Sequence, residues 1–169
     1  LQGVMGRYYA LGDGESKEVA DAIEQHYRPR FAGDSLPQGP VACAVALADK
    51  LDTLAGLFGI FQQPTGDKDP FALRRAAAGV IRILVEADLP LALHGLTHAA
   101  FEGFSGKVAD AHADLETFMF ERLRSYLHDQ GYSANETEAV LCLLPVRLND
   151  VPRRLEAVRA FSVLPEAQS

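Results

Sequence analysis

The chain has 169 residues, 48% of them hydrophobic and 23% charged, with 16 Lys+Arg against 23 Asp+Glu and a formal net charge of -7. This composition is that of a globular protein with a real core. No apolar run reaches the roughly 18 residues of a membrane helix, no secretory signal pattern is present, and the negative total argues against sequence-independent grip on a long phosphate backbone while leaving room for a local basic face.

Helix signals dominate in chain order. Leu1 to Ala10 reads as the end of a helix whose start is missing. The first residue is Leu1 and the first methionine Met5, so the chain is expected to be cut from something longer. Glu15 to Tyr27 reads as a second helix, with Val19, Ile23 and Tyr27 on one face. A loop follows over Arg28 to Pro37. The stretch Val41 to Phe61 is apolar all round in its first half, which predicts a helix buried on every side. Gln62 to Asp69 is a turn region, after which Asp69 offers an N-cap and Pro70 a first helical position, with the helix running to about Ala87.

Pro90 opens a short helix to about Phe104. Ser105 begins a long one, striped by Leu115, Phe118, Met119, Leu123, Tyr126 and Leu127, with Gly131 placed as its C′ residue. Ser133-Ala134-Asn135-Glu136 is a capping box for the next helix, and Asp150 starts the last. The expected fold is all-α, with a soft boundary near residues 103–106 dividing a domain over 1–104 from a smaller helical region over 105–169. The lone cysteines Cys43 and Cys142 read as small buried hydrophobes, since paired C-x-x-C spacing is absent.

Asp49 and Asp52 lie three residues apart on one face of the apolar helix. Buried carboxylates need a partner, either a metal or an arginine such as Arg7, Arg28, Arg30 or Arg74. Arg28 and Arg30 flank Pro29 beside Tyr27 and Phe31. That set suits phosphate contact and base stacking, or else a core anchor with one arginine paired to Asp49 or Asp52. Arg74, Arg75 and Arg82 form a basic stripe on the next helix, readable as a phosphate contact or as a solvated face with Arg82 and Glu86 paired at i, i+4. Arg28, Arg30, Arg74, Arg75 and Arg82 are therefore the candidate nucleic-acid-binding residues. No catalytic residue and no complete metal set is visible, and no Gly-rich nucleotide loop is present.

The segment Ala48-Asp49-Lys50-Leu51 resembles the closing aspartate element of HD-superfamily phosphohydrolases, whose other ligands are a histidine and a His-Asp pair; His26 is the only histidine before it, and no adjacent His-Asp pair precedes it. This implies an HD-like helical bundle without HD catalysis; the alternative is a metal-dependent HD-type phosphohydrolase. A wider resemblance covers most of the chain. LQGVMGRYYA (1–10), HYRPRFAGD (26–34), LADKLDTL (47–54), QQPTG (62–66), DPFALRRA (69–76) and Phe120-Glu121-Arg122-Leu123 through Gly131-Tyr132 are similar, in this order, to blocks of the bacterial glycyl-tRNA synthetase beta subunit.

The resemblance implies a cytoplasmic parent enzyme that joins glycine to its tRNA using ATP. It implies an alpha/beta heterotetramer with the alpha subunit and tRNA(Gly) as partners, and neither membrane nor DNA. ATP and Mg would serve the alpha subunit, leaving this segment without a cofactor or active site and with a role in tRNA recognition or subunit scaffolding. The anticodon-binding domain would lie beyond it.

Overall fold

The computed structural model describes residues 3–164. These form eight α-helices and no β-strand. Helix α1 spans Val4–Gly12 and α2 Lys17–Gln25; α3 spans Pro40–Gly59 and α4 Leu73–Glu86. They are followed by α5 (Leu93–Gly103), α6 (His112–Asp129), α7 (Ala134–Leu141) and α8 (Val151–Ser162), the last entered through a single 3-10 turn, Leu148–Asp150. The all-α expectation holds. Leu1 and Gln2 of the segment read as the end of a helix over 1–10 lie outside the described residues.

Helix α3 is the central strut, packing against α2, α4, α5 and α6. Its Leu51, Leu54, Ala55 and Phe58 join Leu73, Val80, Ile81 and Leu84 of α4, the α6 stripe Leu115, Met119, Leu123 and Leu127, and Leu141, Leu148 and Leu155 in one hydrophobic cluster. Residues from both sides of Phe104 thus share a core.

Several boundaries and faces differ from expectation for identifiable reasons. Helix α4 starts three residues late, because Asp69-Pro70-Phe71-Ala72 closes a turn (Ala72 N–H to the Asp69 carbonyl, 3.2 Å) with Ala72 in the left-handed region. Asp69 still caps, its carboxylate accepting from the Leu73 and Arg74 main-chain N–H groups at 2.8 and 3.0 Å. The long helix begins at His112 rather than Ser105. Ser105 and Gly106 both have positive φ, and Ala109 donates to the Gly59 carbonyl at 3.0 Å, so the segment is spent wrapping the end of α3.

Helix α3 is not buried on every side: Ala44, Val45, Ala48, Asp49, Asp52 and Thr53 form an exposed stripe. Val19 is exposed too, and α2 instead buries Ala20 and Ala22. Cys43 is buried, its thiol 3.3 Å from the Pro37 carbonyl, and burial pushes its pKa up. Cys142, at the C-cap of α7, is exposed, contrary to the reading of it as a core residue.

Candidate nucleic-acid interface

The loop between α2 and α3 is fixed from three directions. Asp34 is buried and its carboxylate accepts from the Arg30 main-chain N–H (2.8 Å), Arg30 Nε (2.9 Å), Arg30 Nη2 (3.3 Å) and the Ser35 N–H (3.0 Å). The guanidinium of Arg30, outweighing the cost of burial, holds the Asp34 pKa far below the usual carboxylate range. Arg82 of α4 donates from Nη2 to the Asp34 carbonyl at 3.0 Å. From α3, Lys50 extends under the loop and donates to the His26 carbonyl at 2.9 Å.

Lys50 is the buried charge of α3, 7% exposed, and burial lowers its pKa. Its stem crosses α4 at Gly79, where a Cβ would stand 2.9 Å from Lys50 Cε and 3.7 Å from Pro29 Cδ. A side chain at this position would press on the lysine stem, while its contact with the proline would be an ordinary one.

Arg28 and Arg30 are both engaged: Arg28 with Glu24 at 3.2 Å and Arg30 with Asp34. Phe31 is not a core anchor. It is 58% exposed, with the Arg30 guanidinium 5.7 Å from its ring centroid. Tyr27 is half-buried and stacks on His26 with centroids 4.0 Å apart.

Asp49 and Asp52 do not need the partner expected for them, because both face outward from α3. The arginines considered for them are occupied elsewhere: Arg7 with Asp21 (2.7 Å), Arg28 with Glu24, Arg30 with Asp34, and Arg74 with the Gly66 carbonyl. A lysine turned inward at position 50 and carboxylates turned outward at 49 and 52 avoid the cost of a desolvated, unpaired carboxylate.

Beyond the fixed loop, a cleft of about 420 Å³ opens between residues 29–33, α4 and α6. Arg74, Arg75 and Arg82 line it from α4, with Arg122, Ser125 and Tyr126 opposite and Phe31 at the rim. Three of the candidate arginines therefore converge, while Arg28 and Arg30 serve the loop behind them. Arg122 was not singled out from sequence; the signal was its i, i+4 spacing to both Phe118 and Tyr126 on the stripe of α6.

Arg82 pairs with Glu86 (2.7 Å) as the i, i+4 spacing allowed, and its Nη1 is buried without a hydrogen-bond partner among the described residues. Arg122 lies with its guanidinium 5.7 Å from the Phe118 centroid, and its Nε is likewise buried and unpartnered. Arg75 is exposed and makes no ion pair among the described residues. The Tyr126 hydroxyl stands 3.4 Å from Glu86. Burial, with Glu86 adding to it, pushes the Tyr126 pKa up to about 12, so the phenol keeps its proton at neutral pH. Such a cleft offers guanidinium N–H groups for anionic oxygens and an exposed ring for stacking.

An all-helical domain with an arginine-lined, aromatic-rimmed cleft is the class that fold and site define. The family model described as "Glycyl-tRNA synthetase beta subunit" matches residues 1–142, and the chain belongs to that family. Among its relatives, proteins named glycine–tRNA ligase beta subunit from Thiobacillus denitrificans and Polaromonas naphthalenivorans are each 62% identical over 99% of this chain. The protein of that name from Aromatoleum aromaticum is 60% identical over 100% of it. The chain spans about a quarter of the length of these relatives, 24%, 24% and 25% respectively.

Proposed function

We propose that this chain is a tRNA-contacting segment of a cytoplasmic glycine–tRNA ligase, with the cleft between α4 and α6 meeting the phosphate backbone of tRNA(Gly). The observation that carries the reading is the convergence of Arg74, Arg75, Arg82 and Arg122 on one cleft beside an exposed phenylalanine, in a chain of net charge -7. A basic concavity on an acidic body concentrates the attraction for phosphate in one place. Glycine activation, with ATP and Mg, belongs in this reading to the alpha subunit of an alpha/beta heterotetramer. The segment itself contributes recognition and no bond-making group.

The test is binding of labelled tRNA(Gly) at low and physiological salt. Wild-type affinity is expected to fall steeply with salt, as counterion release requires. Arg75→Ala/Arg122→Ala is expected to lose about tenfold or more at low salt, at roughly 1.5–3 kcal/mol per charged hydrogen bond. Arg28→Ala, which breaks only the pair with Glu24, should change affinity little. Equal binding by wild type and the double variant sinks the assignment of the cleft.

A scaffolding role has its own support. Leu143, Leu144 and Val146 are 69%, 66% and 64% exposed and nearly contiguous. Such a patch suits contact with another domain or with the alpha subunit. In that case tRNA binding is absent at every salt concentration, and Leu144→Asp weakens assembly with the alpha subunit.

A further inference from the structure

A second cluster lies away from the arginine cleft, where α5 packs on α6. Helix α5 carries His94 and His98 one turn apart; α6 carries His112 and Glu116 one turn apart. His94 Nδ1 is 3.1 Å from Glu116 Oε1, and His112 Nε2 is 3.2 Å from the same oxygen. The His94 and His112 rings meet edge to face with centroids 4.6 Å apart. One ligand atom from each of His94, His112 and Glu116 lies within 4.8 Å of the others.

Two features separate this cluster from an ordinary surface ion pair. His112 Nε2 is buried and makes no well-formed hydrogen bond, a costly state for a ring nitrogen. The Glu116 carboxylate also has a buried neighbour: the hydroxyl of fully buried Thr97 stands 3.1 Å from the same Oε1, with the Leu93 and His94 carbonyls at 3.2 and 3.0 Å as its other acceptors. A hydroxyl neighbour of this kind orients carboxylate ligands in metal sites.

We propose that His94, His112 and Glu116 form a binding site for a divalent transition metal, with zinc the best fit. Zinc bonds of roughly 2.0–2.1 Å in a tetrahedron put neighbouring ligand atoms about 3.3 Å apart. The two separations above are close to this, so small side-chain adjustments complete the site. Two imidazoles and one carboxylate suit zinc, cobalt or nickel, whereas calcium and magnesium want oxygen sets. The three protein ligands leave one position for water. Near it stands His98, its ring 6.2 Å from that of His112. The ion would join the first turns of α5 and α6, helices separated in sequence by the segment 104–111, and so clamp the two together.

The test uses the chain without a polyhistidine tag, stripped with a chelator and titrated calorimetrically with zinc, then with cobalt for its visible spectrum. One equivalent is expected, with the intense absorption of tetrahedral cobalt and a zinc-dependent rise in melting temperature. His94→Gln and Glu116→Gln should each weaken zinc binding at least tenfold. His94 is exposed, so its variant should keep the metal-free melting temperature, which separates ligand loss from unfolding. His128→Asn and Cys142→Ser, at exposed groups elsewhere, should bind as wild type. Absence of stoichiometric uptake, or the same affinity in His94→Gln and Glu116→Gln as in wild type, overturns the proposal.

Discussion

Asp34 is buried, and its carboxylate takes four hydrogen bonds, two of them from main-chain N–H groups. Asp34→Asn keeps the shape and removes the charge. A destabilisation of about 1–3 kcal/mol is expected at neutral pH, a fall in Tm of roughly 2–4 °C per kcal/mol for a chain of this size. Because the folded pKa is depressed, this contribution is fully present above the unfolded value of about 3.9 and is lost as pH falls toward the folded one. The gap between wild type and variant should therefore narrow in melts near pH 3; a constant gap from neutral pH to pH ~3 would count against it. At this scale the sequence was an uneven guide. The basic stripe of α4 and the Arg82–Glu86 pair were legible from spacing. The inward turn of Lys50 and the outward turn of Asp49 and Asp52 were not, because alanines on every side of α3 leave its rotational setting undetermined. Phe31 and Cys142 misled for a related reason: an apolar side chain does not say whether it meets the core or ends a helix facing solvent.

The junction of α6 and α7 was the most legible element. Gly131, at φ 84°, is the C′ residue, and the Tyr132 N–H reaches the Leu127 carbonyl at 3.2 Å while the Gly131 N–H reaches His128 at 2.9 Å, a Schellman ending. Ser133 and Glu136 then form the expected capping box, and Arg159 of α8 pairs with Glu136 at 2.7 Å. The Arg159 and Ser133 donors together bring the Glu136 pKa down to about 2. Ser133→Ala should cost about 1 kcal/mol, within the 0.5–2 range for caps, read as a lower midpoint in urea with an unchanged slope. No loss would mean that α8 alone holds the start of α7. Local chemistry suffices here because donors and acceptors sit within a few residues of one another. The starts of α4 and α6 depended on left-handed turns at Ala72 and Ser105, residues with no glycine-like signature.

Over the whole molecule, one cluster links α3, α4, α6, α7 and α8. Leu54 sits within it fully buried, so Leu54→Ala should cost about 2–5 kcal/mol through the cavity it leaves. An unchanged melting temperature would remove α3 from the centre of the fold. Helix content and order were readable because a period of 3.6 is a local property. The cleft was not, since it needs α4 and α6, some forty residues apart, to face each other across the loop before α3. That loop is held largely through its main chain: Lys50 reads the carbonyl of residue 26, Arg82 the carbonyl of residue 34, and Asp34 the N–H groups of residues 30 and 35. Every residue type supplies a main-chain carbonyl. Exchanges at positions 26, 31 or 32 can therefore alter what the loop displays without altering where it is displayed.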